Sequence, residues 1–218
     1  MSEPTPSMNL RLRNAGPHDS HQIAAVFDAA VREAWPWLGL TAQRALFTDD
    51  EWSQLVADHA PPNILLVAES DEHDSVLGFV AAHPLDGELF MLFVDPRQAG
   101  RGIGRRLLDA AHDGMRSAGR RQAFLFTHER NMRAIDVYRR AGYVHDGTYR
   151  ESAFHGIALR EMRLVKNLYD AGTTHRPPST GVGGDERPEP ERPERPAVVA
   201  PGRIRNGEPA EAPVSDHA

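Results

Sequence analysis

The sequence predicts an α+β fold: a mixed, mostly antiparallel sheet with one central parallel strand pair and helices on both faces. Three observations carry that prediction. Strand-like runs follow one another between residues 63 and 96, separated only by short polar turns. One strand–helix–strand unit, Glu88 to Glu129, interrupts them, and such a crossover lays its two strands parallel with a right-handed connection. Apolar residues at helical spacing flank this core on both sides.

Taken in order, Leu10–Arg13 alternates as LRLR and reads as a short strand. Asp19 or Ser20 supplies a side-chain acceptor for the free amides of a helix start, and Ile23, Val26, Phe27, Ala30 and Val31 then share one face. Pro36, inside WPWLG, ends that helix or bends the chain. A second helical stretch is expected over about Ala42–His59, interrupted near Thr48-Asp49-Asp50, where a fresh cap precedes Glu51, and stopped by Pro61-Pro62. Residues 63–70 and 76–84 predict a hairpin across the polar DEHDS turn. Residues 88–96 predict a strand covered on both faces, because Leu89 through Val94 are all apolar. After Pro96 comes a glycine-rich loop. A helix follows with Ile103, Leu107, Leu108, Ala111 and Met115 on one side, closed by Gly119. Residues 122–129 form the next strand, and Asn131–Arg140 a short helix with Ala134, Ile135 and Tyr138 facing inward, ended by Gly142. Tyr143–Phe154 and Ala158–Asn167 close the fold as an antiparallel pair around His155-Gly156.

The folded body is expected over residues 10–169, behind a flexible start at 1–9. From Asp170 onward there is no aromatic residue, while 9 of the 17 prolines lie there, and Glu186–Pro196 alternates Glu, Arg and Pro. Such a composition buries too little apolar surface to offset the entropy of ordering, so 170–218 is expected to be a disordered tail, either a solvated spacer or a docking peptide. The net charge of −6 is shared evenly between tail and body, which disfavours a nucleic-acid partner. Absence of cysteine excludes disulfides, zinc–thiolate sites and cysteine nucleophiles. No apolar run approaches the roughly 20 residues of a membrane span, and the first residues lack a signal-like core. The expected setting is therefore cytoplasmic, with no membrane partner.

The most informative segment runs from Val94 to Arg105, out of an apolar strand and into an amphipathic helix. Gly100, Gly102 and Gly104 let the backbone approach a ligand closely, and free amides at a helix start attract a phosphate or pyrophosphate. Arg101, Arg105 and Arg106 add positive charge. The dinucleotide fingerprint fails, because the third glycine position falls on Arg105 or Leu107, and no G-K-[S/T] of a nucleotide P-loop follows. Downstream, Asn131, Ala134 and Tyr138 fall on one side of a helix that ends at Gly142-Tyr143. Tyr138 then has two readings, a phenol aimed at the gap beside the parallel pair or a core aromatic.

Together these segments resemble the GNAT superfamily of acetyl-CoA-dependent N-acetyltransferases, over about Leu10–Leu168 in element order and most sharply over Glu88–Tyr143. The family's loop reads [Q/R]-x-x-G-x-[G/A]; Gly102 and Gly104 fill its last two places. Its first place falls on Ala99, with Gln98 one residue early, which removes a polar side chain but leaves the amides. The resemblance implies acetyl-CoA as co-substrate, with no metal. The pantetheine arm would lie along Leu92, Phe93 and Val94, and the pyrophosphate on amides from Ala99 through Gly100, Arg101, Gly102, Ile103 and Gly104 to Arg105. Asn131 would reach the pantetheine amides, and Tyr138 would protonate the departing thiolate.

For the base, the resemblance points to Glu88, acting through water; His128, Glu129 and His155 are rivals. The acceptor site is expected from Trp35, Trp37 and Leu38, the segment up to Glu51, and His155. The tryptophans have a second reading as core residues at a helical corner. Asp49, Asp50 and Glu51 either attract a cation or stabilise a helix start. The implied function is acetyl transfer to a primary amine of a small molecule. Alternatives are transfer to a peptide N-terminus or lysine, or a non-catalytic acyl-CoA-binding module. Monomer and homodimer are both compatible with the sequence.

Overall fold

The computed structural model describes residues 10–39, 45–59, 61–70 and 73–169. The expected flexible start at 1–9 and the tail at 170–218 lie outside these residues. So do residues 40–44, which include the start of the expected second helix. The described strands are β1 Leu10–Asn14, β2 Ile64–Ser70, β3 His73–His83, β4 Glu88–Val94, β5 Gln122–His128, β6 Val144–Phe154 and β7 Ile157–Asn167. The helices are α1 Ser20–Ala34, α2 Asp49–Asp58, α3 Ile103–Ser117 and α4 Met132–Arg140, with short 3-10 turns before α1, after Trp35 and after Asp95.

The sheet order is β1-β2-β3-β4-β5-β7-β6. Neighbours are antiparallel except β4 and β5, which are parallel, as the crossover through α3 requires. Helices cover both faces. On one, Ile23, Phe27 and Val31 of α1 and Trp52 and Leu55 of α2 pack with Val67, Phe79 and Met91. On the other, Leu107, Leu108, Ala111 and Met115 of α3 pack with Val80, Leu89, Leu125 and Tyr138. Among the described residues no helix is long and apolar enough to cross a membrane.

Three elements differ from expectation. The second helical stretch differs in part: residues 45–48 are not helical, and α2 starts at Asp49, where the fresh cap expected before Glu51 is Thr48, whose Oγ1 accepts from the Glu51 amide and whose own amide donates to Glu51 Oε2 at 2.7 Å. Asp19 precedes α1, but its carboxylate turns back to the Gly16 amide (2.7 Å) and to Arg13 (2.7 and 2.8 Å) instead of capping the helix. The third difference is β4, in which only Leu89 and Met91 are buried, not the whole run to Val94.

That last departure shapes the site. Against β3, Ala81 pairs with Met91 and Ala82 with Leu89, so Phe90 is an extra residue and β4 bulges there. Against β5, the ladder is reduced to Glu88 opposite Phe124. Beyond it the two strands part, and Phe93 and Val94 face a gap instead of a neighbouring strand.

Candidate active site

The gap between β4 and β5 opens into a cleft of about 640 Å³. Its floor is Leu92, Phe93 and Val94; its far end is the loop Ala99, Gly100, Gly102, Ile103, Gly104 and Arg105. α4 supplies one wall through Arg133, Ala134, Val137, Tyr138 and Arg140, and α1 the other through Ala30, Glu33 and Ala34. Every cofactor-binding residue expected from the sequence lines this cleft except Arg101, whose side chain lies outside it.

The loop has the geometry an anion needs. Gly100 and Gly102 hold φ of +80° and +79°, a region that costs any residue with a Cβ about 1–2 kcal/mol. Gly102 is the N-cap of α3, and the first intrahelical bond there runs from the Arg106 amide to the Gly102 carbonyl. The amides of Ile103, Gly104 and Arg105 are therefore free of intrahelical partners, with the helix dipole behind them. No acidic side chain sits in that first turn to compete for them.

A smaller cavity, about 110 Å³, lies against the same strands. Phe27, Trp35, Phe90, Phe126 and Phe154 give it aromatic walls, and His128, Arg150 and Glu161 give it polar ones. Leu92, Phe93, Asn131, Ala134 and Tyr138 border both cavities, so the two meet at Tyr138. The Tyr138 side chain is buried, and burial pushes its pKa well above the ordinary tyrosine value. It therefore stays a protonated phenol through the neutral range. Tyr143 beneath it packs edge-on at 5.6 Å, and its hydroxyl is engaged by His112 Nε2 at 2.8 Å.

Other expected residues fall less uniformly. Asn131 lines both cavities, but its Oδ1 accepts from the Ala134 amide as the N-cap of α4, leaving the Nδ2 donor for a ligand. Trp35 lines the small cavity and packs edge-on against Phe154 at 5.6 Å. Trp37 stands behind it, 4.8 Å from the His128 ring and under Arg130 at 4.6 Å. Leu38 is a core residue, 8% exposed and packed in the α1–α2 cluster, so it forms no cavity wall. His155 is exposed on the β6–β7 turn, in contact with Phe47 and outside both cavities. Asp49, Asp50 and Glu51 form the first turn of α2 and line neither cavity.

Glu88 occupies the opposite end of β4 from Val94, 3.5 Å from His83 Nδ1, and lines neither cavity. His128 does line the small one. Its Nδ1 accepts from the Arg130 amide at 3.0 Å, and burial lowers its pKa, so it is a neutral ring whose proton sits on Nε2. Sequence reasoning missed Arg150, Glu161 and Phe126. They enter the site only through strand register, a signal no local motif carries. Among the described residues no group of three or more His, Asp or Glu side chains is placed to hold a metal ion.

Residues 26–143 match the model of the acetyltransferase (GNAT) family. The chain belongs to that family. The mycothiol acetyltransferase of Propionibacterium freudenreichii is 34% identical over 140 residues, covering 62% of this chain and 43% of that protein. The chain thus spans less than half the length of the mycothiol acetyltransferases it matches. Two solved structures share the fold. The PaiA N-acetyltransferase of Thermoplasma acidophilum, solved in complex with coenzyme A, has a TM-score of 0.59 at 17% identity, covering 73% of this chain and 99% of its own. The yncA protein of Salmonella typhimurium, solved with acetyl-CoA, has a TM-score of 0.56 at 19% identity, covering 79% of this chain and 99% of its own.

Proposed function

We propose that the protein is an N-acetyltransferase that moves an acetyl group from acetyl-CoA to a primary amine of a small molecule by direct attack. One observation carries the reading: a long cleft ending at free helix amides and a small aromatic cavity meet at a buried, protonated Tyr138. The residues present fit the carrier. The amides of Ile103, Gly104 and Arg105 would take the pyrophosphate, and the unpaired edge of β4 over Leu92–Val94 would pair with the pantetheine amides as an added strand. Acetyl-CoA supplies the acetyl group as a thioester. A main-chain amide near Val94 suits the oxygen on which charge develops.

Tyr138 donates its proton to the departing thiolate as the new C–N bond replaces the C–S bond. The ammonium of the acceptor loses two protons in all; one restores the phenol and the other leaves to solvent. Glu88, outside both cavities, takes a proton only through intervening water, and His128 is disfavoured as a direct base because its Nδ1 lone pair is already engaged. A carrier-sized cleft joined to a cavity of only about 110 Å³ favours a small amine over a broad peptide groove.

The test is Tyr138→Phe, read as released thiol against a panel of amines. The expected result is a loss of about 10²-fold or more in kcat with acetyl-CoA affinity unchanged. Equal turnover would remove Tyr138 from the chemistry.

A further inference from the structure

Three strands converge on one wall of the small cavity. The register sets His128 of β5 opposite Glu161 of β7, and Glu161 opposite Arg150 of β6. Cross-strand partners share a sheet face, and all three side chains line the cavity. Arg150 is held twice: its Nε donates to Glu161 Oε2 at 2.8 Å, and its guanidinium lies 3.8 Å over the Phe126 ring. Glu161 is held once. The Arg150 bond takes Oε2, and the side chain is 11% exposed. His128 brings no positive charge, being neutral with its Nδ1 engaged. A largely buried carboxylate whose other oxygen is not taken by Arg150, on a cavity that Trp35, Phe93 and Phe154 also line, is ground for a cation, because a carboxylate withdrawn from water gains from pairing and aromatic faces favour ammonium groups.

We propose that Glu161 docks the ammonium of the acceptor, and that the acceptor inserts a primary ammonium on an apolar body smaller than a benzene ring. The size limit follows from the cavity volume, which is below the roughly 150 Å³ that accommodates benzene. The proposal rests on the transferase reading of the cleft and adds the residue that selects the acceptor. Tyr138 stands at the cavity's junction with the cleft, where the nitrogen must attack.

The experiment uses the full chain with n-butylamine as acceptor probe and n-butanol as its uncharged match. Steady-state turnover with acetyl-CoA and saturation-transfer NMR of each probe are measured on wild type, Glu161→Gln and Arg150→Met. The expected result is that Glu161→Gln raises KM for the amine at least tenfold and erases the NMR preference for butylammonium over butanol. Its acetyl-CoA-induced rise in Tm stays intact. Arg150→Met frees the carboxylate and does not raise KM. Glu161→Gln with unchanged KM overturns the proposal, as does an equal rise in both variants, which marks a purely structural ion pair. Wild type without turnover counts against the transferase reading alone; the NMR comparison then decides, and butylammonium binding equally to wild type and Glu161→Gln overturns the docking role. Should Glu161→Gln fail to fold, the double variant Glu161→Gln/Arg150→Met leaves no lone buried charge and carries the same comparison.

Discussion

Replacing Gly102 by Glu tests the anion site at its most exposed point. Gly102 holds φ +79° with nothing within 4 Å of where a Cβ would stand, so the new side chain fits sterically and the cost is conformational and electrostatic. The left-handed backbone costs about 1–2 kcal/mol, partly offset by about 0.3–1 kcal/mol from a carboxylate at a helix N-terminus. A carboxylate about 6 Å from one phosphate charge costs roughly 3 kcal/mol at an effective dielectric near 20, and a second phosphate charge adds to it. A total near 4 kcal/mol weakens acetyl-CoA binding about a thousandfold. At a ligand concentration of about 100 wild-type Kd, wild type gains about 2.7 kcal/mol, or about 5–10 °C in Tm. The variant, then at about one-tenth of its own Kd, gains less than about 0.1 kcal/mol, a few tenths of a degree. Differential scanning fluorimetry with and without acetyl-CoA reads both values. Gly119→Glu is the control, since Gly119 also holds φ +80° in open space but stands past the other end of α3; it should keep the full shift. A Gly102→Glu variant that retains more than half the wild-type shift refutes the phosphate site.

His112 is 2% exposed and its pKa is lowered to about 4 by burial, with Lys166 and Arg116 adding to the effect. Between that value and an unfolded value near 6.5 the unfolded chain binds the extra proton, so stability falls as pH drops through this window, by about 3 kcal/mol in all. His112→Leu should flatten urea-derived stability between pH 6.5 and 4, while costing about 1–3 kcal/mol at pH 7 because the Tyr143 hydroxyl loses its partner. Asp19 is fully buried; burial alone would raise its pKa, but the Arg13 bonds and the Gly16 amide outweigh it and lower it. Its contribution is present above the unfolded carboxylate pKa near 3.9 and is lost as pH falls through the folded value. Arg13→Met should therefore cost about 3–5 kcal/mol at neutral pH and move acid unfolding to higher pH, as followed by circular dichroism.

Much of the long cleft was legible because its features are local. Glycines at 100 and 102, the helix beginning at Ile103 and the Asn131–Tyr138 spacing are set by neighbours in sequence, and local chemistry governs turns and helix starts. The small cavity was not legible. Phe126, Arg150 and Glu161 become neighbours only when β5, β7 and β6 take one particular register, and a shift of one residue would turn each to the other face. Leu38 looked like a pocket residue because it sits in WPWLG, yet the 3-10 turn at Pro36 swings it into the core while Trp35 keeps its ring on the cavity. The run Leu89–Val94 looked fully enclosed because composition cannot report the bulge at Phe90 or the parting from β5. Apolar side chains there face a ligand space instead of another strand.

Main-chain bonding across the sheet is continuous from β1 to β4 and again from β5 to β6, but between these two wings it narrows to one junction, where Glu88 faces Phe124 and the Phe124 amide reaches the Gly87 carbonyl at 2.8 Å. A guest threaded along Leu92–Val94 acts as a stitch between the wings. Occupancy and stiffness would then become one variable, and the expected outcome is that amide hydrogens along the seam exchange more slowly with acetyl-CoA bound than without it, as hydrogen–deuterium exchange would read. On that expectation the molecule would be most pliant when it exchanges a spent carrier for a fresh one.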